Sequence, residues 1–567
     1  MVRPWLTWAE FGNISLFSLK TVHPDLIQKI ISQLRSSKAT GFDAIDTNVL
    51  KLVKFQVTPA VTHIVNLSIQ TSTFPTLWKH AKVIPLLKPG SEDQFAPKSY
   101  RPVALLPVLS KILERVVFIQ TVQYMNDNDL LHPNHHGFRA QHSTTTAMLQ
   151  MYDSWVDAAN RGELAGVAML DQSAAFDCVD HSLLIEKLKL YGWEETALIW
   201  TMNYLAERVQ SCSVESFVSE SLSVSFGVPQ GSILGPLYFC IFTNDFPECV
   251  HQEGCFGREI GNVSTSVFNM QCQHCGSIIA YADDSTFTIT DSDPAQLTEK
   301  LTQKFEIMVD YLTANRLKVN SEKTHLIVMC TDQRRRRQST ETTIRTGSGS
   351  IYASNSERLL GAHIHQNMKW AEHIQNSKFS VVQSLNVRLG ALKTFAKFAS
   401  FKVRLLLANG IFMSKLTFMI ALWGGCSEYL LNALQVCQNN AARAVTRHDR
   451  TVPVHRLLRE CGWRSVRQEV FYHTVMQLHK ILLQKSPKYL YSQLTADGSH
   501  IYMTRNSSSC SVRRGKAFHT NLSLCRDSFK WRGIMSYESI PVEIRNIKDM
   551  KSFKKRLDSW IKANIRL

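Results

Sequence analysis

The sequence predicts a multidomain α+β protein, with strands and helices mixed through its first 370 residues and a mainly helical remainder. Three observations predict it. Short apolar runs punctuated by proline and glycine recur up to about residue 370, among them Lys82 to Lys88, Leu164 to Leu170 and Ser277 to Ala282. Beyond 370 the apolar residues fall at helical spacing instead. The length of 567 residues, at roughly 150 residues per domain, corresponds to about four domains and several cores. With 44% hydrophobic and 20% charged residues, the composition excludes a wholly disordered, collagen-like or coiled-coil chain.

Taken in order, Pro75, Pro85, Pro89, Pro97, Pro102 and Pro107 break the stretch 66–115 into strands and turns ahead of a helix. That helix is expected to start near Leu109, with Ser110 as N-cap and Ile112, Leu113, Val116 and Val117 as its apolar face. The run 164–170 reads as a buried strand ending at Asp171, followed by a helix from about His181 to Tyr191 that Gly192 stops. Residues 277–282 and 286–290 read as a hairpin with Asp283 and Asp284 at its turn. A helix is expected from about Pro294 to Leu312, then a turn and a strand over 323–329, and a polar loop over 331–350. Phe379 to Phe395 and Phe401 to Leu422 read as long helices, and Trp531 to Leu567 closes with another. Residues 495–528 read as a basic connector, and no fixed-period repeat is visible.

The net charge of +17 hides a division. Residues 1–330 carry 25 Lys and Arg against 33 Asp and Glu, whereas residues 331–567 carry 39 against 14. A basic half of that strength attracts phosphate polymers or anionic membranes, and nucleic acid is the preferred reading. The run Arg334 to Arg337 adds little, since such runs commonly sit in loops. No stretch of about 18 apolar residues appears, and Arg3, Pro4, Glu10 and Gly12 interrupt the start, so neither a membrane span nor a secretory signal is expected. Thirteen scattered cysteines fit reduced thiols in an intracellular compartment.

Asp171, Asp283 and Asp284 end apolar strands, where a carboxylate is costly unless paired or bound to metal. Hard oxygen donors suit Mg²⁺, and two such ions can activate an attacking hydroxyl and stabilise a leaving pyrophosphate oxygen. Taken alone, Asp-Asp at a hairpin is more often a polar turn. Gly227-Val-Pro-Gln-Gly-Ser-Ile-Leu-Gly-Pro236 shifts that balance, because Gly227 and Gly231 permit close backbone approach to a ligand and Gln230 can hydrogen-bond a base or sugar.

The series of blocks resembles the reverse transcriptase of non-LTR (LINE-like) retrotransposons, jockey-like elements above all. Lys38 to Ile45 resembles its opening block, Trp78 to Arg115 its fingers blocks, and His136 to Ala140 with Ser143 to Thr146 the next. Asp171 to Asp177 resembles motif A, residues 227–236 motif B, Tyr281-Ala-Asp-Asp284 motif C, Asn315 to Met329 motif D and Arg358 to Ala362 motif E. The resemblance covers about residues 35–370. It implies a right-hand polymerase with fingers, an antiparallel-sheet palm and a helical thumb, followed by a mainly helical basic region. The implied layout is a lead segment over 1–34, fingers over 35–160, and a palm over 161–370 that includes motif B at 205–240 and a Cys/His insertion at 246–276. A thumb at 371–450 and a basic region at 451–567 complete it. The implied reaction is attack of a primer 3′-hydroxyl on a dNTP, templated by RNA. Asp171 and Asp283 would be the main Mg²⁺ ligands with Asp284 as third carboxylate. Phe176 would gate the ribose 2′-hydroxyl, Lys88 and Arg101 would meet the triphosphate, and Gln230 with Gly231 would lie by the nascent pair. Lys323 would help pyrophosphate leave.

The sequence departs from the family in places. Motif A has Gln172 and Ala174 where Leu and Lys are expected, and neither is a proposed metal ligand. Only about 35 residues precede the first block, so target cleavage is not expected to be encoded here, as in a 5′-truncated copy, a mis-started gene model or a separate product with a separately supplied endonuclease. Between motifs B and C, Cys272-Gln-His-Cys275 has the spacing of a zinc knuckle, and Cys249 with Cys255 could complete four thiolates. A reduced, metal-free loop is preferred. The expected partners are template RNA, a DNA primer or target and dNTPs, with no membrane, in a cytoplasmic ribonucleoprotein and the nucleus. The competing readings are a catalytically silent nucleic-acid-binding relic and an RNA-directed RNA polymerase, the second disfavoured by Phe176 and the Tyr-Ala-Asp-Asp spelling.

Overall fold

The computed structural model describes residues 15–36, 39–88, 90, 93–251, 275–320, 323–337, 340–347, 349–495 and 523–565. The chain is α+β and divides into two compact units: residues 1–138, 170–285 and 304–324 form the first, and residues 139–169, 286–303 and 325–567 the second.

In the first unit the proline-broken segment folds as expected into strands. His80–Leu87 pairs antiparallel with Tyr100–Leu105, in a register that sets Lys82 opposite Leu105 and Leu86 opposite Arg101. Its other edge pairs in parallel with Arg208–Val214, which is itself flanked by Phe217–Val218 and Leu222–Val224. Pro85 and Pro102 face each other across the first pair, which is tolerable because proline forfeits only its own ladder donor. The helix Val108–Asp127 begins two residues earlier than Ser110, with Pro107 in the cap position. Ser110 is not the cap: it lies inside the helix, fully buried, and its hydroxyl donates to Glu114 Oε1 at 2.8 Å. The helix His181–Leu190 matches the expectation, with Asp180 accepting the Leu183 N–H as N-cap. A core of Trp200, Tyr204, Tyr238, Phe239, Phe242 and Phe246 packs beneath the helices Glu195–Leu205 and Leu234–Phe242.

In the second unit the strand Leu164–Leu170 is buried along its whole length, as its uninterrupted apolar run requires. It pairs antiparallel with His325–Met329, with Val167 opposite Ile327, and Asp284–Asp291 lies on its other side. His325–Met329 in turn pairs in parallel with Gly349–Ser354, which pairs antiparallel with Thr343–Thr346. The helix Thr144–Asn160 opens with a capping box between Ser143 and Thr146.

Three expectations are corrected here. Residues 331–350 are not a plain loop but contain the helix Asp332–Arg337, the strand Thr343–Thr346 and the start of the strand Gly349–Ser354. The first two arginines of the run are spent on backbone: Arg334 donates to the carbonyls of Gly162 and Ser292, and Arg335 to that of Val328 at 3.1 Å. The stretch 401–422 is interrupted, running as Phe401–Leu407, a wide π turn Ala408–Met413 and the short Ser414–Leu416, until Met419 at φ 53° turns the chain into Ile420–Trp423. The last stretch is likewise three helices, Phe529–Glu538, Val542–Arg545 and Met550–Asn564, because Pro541 ends the first. The half-buried Arg532 fixes this part by donating to the Ala421 carbonyl at 2.6 Å and to Thr474 Oγ1 at 2.9 Å. Among the described residues, no helix is long and apolar enough to cross a membrane.

Candidate active site

Asp171 follows the last residue of the strand Leu164–Leu170, and its carbonyl accepts the Asn320 N–H at 2.9 Å. The two-residue strand Gln172–Ser173 then pairs with Lys318–Val319. That pairing brings Lys323 into reach, its Nζ 3.8 Å from Asp171 Oδ2 with both groups partly exposed. The expected hairpin is present: Ser277–Tyr281 and Asp284–Asp291 are neighbouring strands joined at Ala282-Asp283, with Ala282 at φ 59°.

The turn is held from outside. The His136 N–H donates to the Ala280 carbonyl at 2.8 Å and the Ala280 N–H to the Asn134 carbonyl at 3.0 Å. Gly137 lies so close that a Cβ there would stand 2.4 Å from the Ala282 nitrogen. No side chain fits at that position.

The charge of Asp171 bears on both carboxyls of the hairpin turn. Partial desolvation pushes the Asp283 carboxyl above its ordinary range, and the charge of Asp171 adds to this while Arg101 opposes it. Asp284 is pushed up to about 6 by desolvation, then by Asp283 and Asp171. Such a cluster of like charges is what a bound cation relieves. Arg101 thus stands in the field of the site. Lys88 is turned elsewhere, donating from Nζ to the Lys98 carbonyl at 2.7 Å.

Beyond Asp171, Ala174 at φ 49° leads into a tight turn, Ala175–Cys178, that presents Phe176. Its ring stacks on Phe239 at 4.5 Å and meets Phe138 edge-on at 6.1 Å. The loop 227–233 is built against this turn, with the Gly227 N–H on the Val179 carbonyl and the Val228 N–H on that of Phe176. Gln230 donates from Nε2 to both oxygens of Asp177 at 2.8 Å, while its carbonyl accepts the Ala104 N–H at 2.7 Å. Gly231, at φ 125°, passes so near that a Cβ would lie 2.3 Å from the Ala104 oxygen. The loop carrying Gln230 and Gly231 is therefore pinned to the strand that carries Arg101.

Two contributors escaped the sequence reading. Asp177 was legible only as a letter of its block, and its role as acceptor for Gln230 needed the fold. Glu114, fully buried, accepts the Ile233 and Leu234 N–H groups at 2.7 and 3.2 Å and so caps the helix that follows the loop. Nothing in a local helical pattern distinguishes that glutamate from a solvated one.

As a donor set the three aspartates fit a hard divalent ion that keeps its own waters and takes further oxygens from a substrate. Among the described residues, no group of three or more His, Cys, Asp or Glu side chains, the three aspartates included, is drawn together so as to hold a metal. The knuckle gains no support. Cys255 and Cys272 lie outside the described residues, while Cys249 and Cys275 are buried, and burial pushes the Cys249 thiol well above its usual range.

Residues 86–364 match the family model described as reverse transcriptase (RNA-dependent DNA polymerase). Over that span the chain is thus similar to reverse transcriptase domains. Its relatives include the "Probable RNA-directed DNA polymerase from transposon BS" of Drosophila melanogaster, 26% identical over 80% of this chain and 48% of the relative. The "RNA-directed DNA polymerase from mobile element jockey" is 31% identical in D. melanogaster, over 40% of this chain and 25% of the relative. Its counterpart in D. funebris is 26% identical over 74% and 43%. The resemblance to jockey-like, non-LTR reverse transcriptases thus stands, and the chain spans about half the length of the curated relatives it matches first.

Proposed function

We propose that this chain is a retrotransposon-derived RNA-directed DNA polymerase that extends a primer 3′-hydroxyl on an RNA template. The observation that carries the reading is the charge of Asp171 bearing on both Asp283 and Asp284 at adjoining strand ends, with Arg101 and Lys323 as the nearby cations. Asp171 and Asp283 would hold two Mg²⁺ ions, with Asp284 as the third carboxylate. When bound, such ions lower the pKa of the attacking hydroxyl and neutralise charge on the leaving oxygen.

The chain's own residues supply the rest. Arg101 offsets triphosphate charge. Lys323, near Asp171 and half in solvent, is placed to stabilise departing pyrophosphate or give it a proton. Phe176, braced by Phe239, closes the space beside a sugar 2′ position. Gly231 lets the nascent pair approach the backbone, and Gln230, oriented by Asp177, flanks it. Lys88 would have to leave its carbonyl to join Arg101. In this reading the sheet and strand pairs are fingers and palm, the helices after 371 are thumb, and residues 451–567 are the basic extension. The partners are template RNA, a DNA primer or target and dNTPs, and the product works as a ribonucleoprotein between cytoplasm and nucleus.

Primer extension on a poly(A)-tailed RNA template with dNTPs and Mg²⁺ tests this. The wild-type chain extends and the Asp283→Asn/Asp284→Asn variant does not. A folded, RNA-binding wild type that fails to extend would establish the silent relic instead, and equal incorporation of rNTPs would contradict the role of Phe176.

A further inference from the structure

In the second unit, the helices Val381–Ala396 and Glu428–Thr446 bring their C-terminal ends together. Helix C-termini carry partial negative charge and unpaired carbonyls, so a few cations there are expected for structural reasons alone. That demand is already met: Arg447 donates to the Ala396 carbonyl, and Arg404 to those of Val445 at 2.6 Å and Ala399 at 2.7 Å. Yet the cations do not stop there. Lys393, Lys397 and Arg443 stand beside them with no side-chain partner among the described residues. Together with Arg447 and His448 they line an open pocket of about 430 Å³ that contains no acidic side chain. Only His448 reaches a carboxylate, that of Glu460 at 3.0 Å. The surrounding sequence is equally one-sided, because the 55 residues between Glu372 and Glu428 contain seven Lys and Arg and no Asp or Glu.

A second observation says what kind of anion belongs there. The same tip exposes aromatic rings, with Phe395 60% and Phe398 89% accessible and Phe401 partly so at the start of the next helix. The sequence 393–402 thus interleaves Lys393, Lys397 and Lys402 with three phenylalanines. Rings left in water beside free cations are a stacking platform for bases whose phosphates the cations hold. A duplex offers the phosphates but hides its base faces. An unpaired strand offers both.

We propose that this tip is a binding site for an unpaired nucleic-acid strand, with Lys393, Lys397 and Arg443 on its phosphates and Phe395 and Phe398 on its bases. The site shares no residue with the aspartates and does not rest on the polymerase reading, since it holds whether or not the chain extends primers.

The test is fluorescence anisotropy of the full chain with a labelled unpaired RNA, an unpaired DNA of the same sequence and a blunt duplex, across a salt series. Phe395→Ser/Phe398→Ser should weaken unpaired strands about tenfold or more and leave the duplex nearly unchanged. Lys393→Gln/Lys397→Gln/Arg443→Gln should weaken them similarly and lower the salt slope by about 0.7 for each phosphate no longer neutralised. Comparing the RNA and DNA arms identifies which strand is preferred. An equal charge removal on an outlying helix, Lys551→Gln/Lys554→Gln/Lys555→Gln, should change unpaired-strand binding far less. The proposal is overturned if that control loses as much, if the folded aromatic variant binds like wild type, if the duplex suffers equally, or if inorganic phosphate alone displaces the strand.

Discussion

The carboxylate of Glu114, fully buried, accepts the backbone N–H groups of Ile233 and Leu234 from 119 and 120 residues away. It thereby fixes where the helix Leu234–Phe242 begins and, through it, the loop that carries Gln230 and Gly231. Glu114→Ala leaves two buried donors unsatisfied, and the expected cost is about 2–4 kcal/mol, read as a fall in the urea midpoint. Glu114→Gln retains an acceptor and should cost about 1 kcal/mol. Equal midpoints for the two variants would remove the cap from this account.

Gly137 makes a sharper prediction, because the crowding there falls on backbone and not on a movable side chain. A Cβ 2.4 Å from the Ala282 nitrogen displaces the turn bearing Asp283 and Asp284. Gly137→Ala should therefore lower primer extension by roughly a hundredfold, the usual penalty for misplacing reacting groups by about 1 Å. Gly162→Ala is the control: at φ +79° with nothing within 4 Å, it should cost only about 1 kcal/mol of stability and spare activity.

These two residues also mark where sequence reading stops. Asp171, Asp283 and Asp284 were legible because each ends an apolar run and the blocks around them keep a recognisable order. The buried strand Leu164–Leu170, the hairpin turn and the helix His181–Leu190 were legible because their signals are local. Glu114 and Gly137 act through partners far along the chain, and no local pattern records such partners. Ser110 was misread as a cap because a serine before an apolar run has two uses, and here its hydroxyl serves Glu114. The break in 401–422 was hidden because apolar spacing continues through Met419 while the backbone does not. The arginine run looked like a solvated loop because the carbonyls that Arg334 takes lie at residues 162 and 292.

Lys187 carries a buried ammonium in the first unit with three partners around it. It donates to the Phe242 carbonyl at 2.7 Å, to Asp245 Oδ1 at 2.8 Å and to Tyr311 Oη at 3.1 Å. Burial pulls its pKa down while Asp245 holds it up. Lys187→Met leaves the Asp245 charge with only the Tyr311 hydroxyl, at 2.6 Å, as a side-chain donor, and about 3–5 kcal/mol of stability should be lost. Lys187→Met/Asp245→Leu should recover much of that, since a buried pair is seldom worth more than apolar packing of similar volume. Chemical denaturation of wild type, single and double variants measures both, and a double variant no better than the single one would mean the site needs its charge.

The last prediction concerns pH. Asp153, on the buried face of the helix Thr144–Asn160, has its carboxyl pushed up to about 8 by burial, reinforced by Asp157 and opposed by Lys530 and Arg532. Tyr152 lies beside it, pushed upward by burial and by the Asp153 charge, and Arg532 is itself drawn down to about 10 by burial. The sign follows from proton counting. In the unfolded chain this carboxyl is ionised above about pH 4, whereas in the folded chain it keeps its proton until about pH 8. Across that interval the folded state binds more protons, so its contribution to stability falls as pH rises and levels off above the folded value. Asp153→Asn removes the titration while keeping the shape. Its melting temperature should match wild type near pH 4, then exceed it by a margin that grows toward pH 8 and stays constant beyond. Melting curves of the two proteins that run parallel over pH 4 to 8 would show that Lys530 and Arg532 keep the carboxylate ionised throughout.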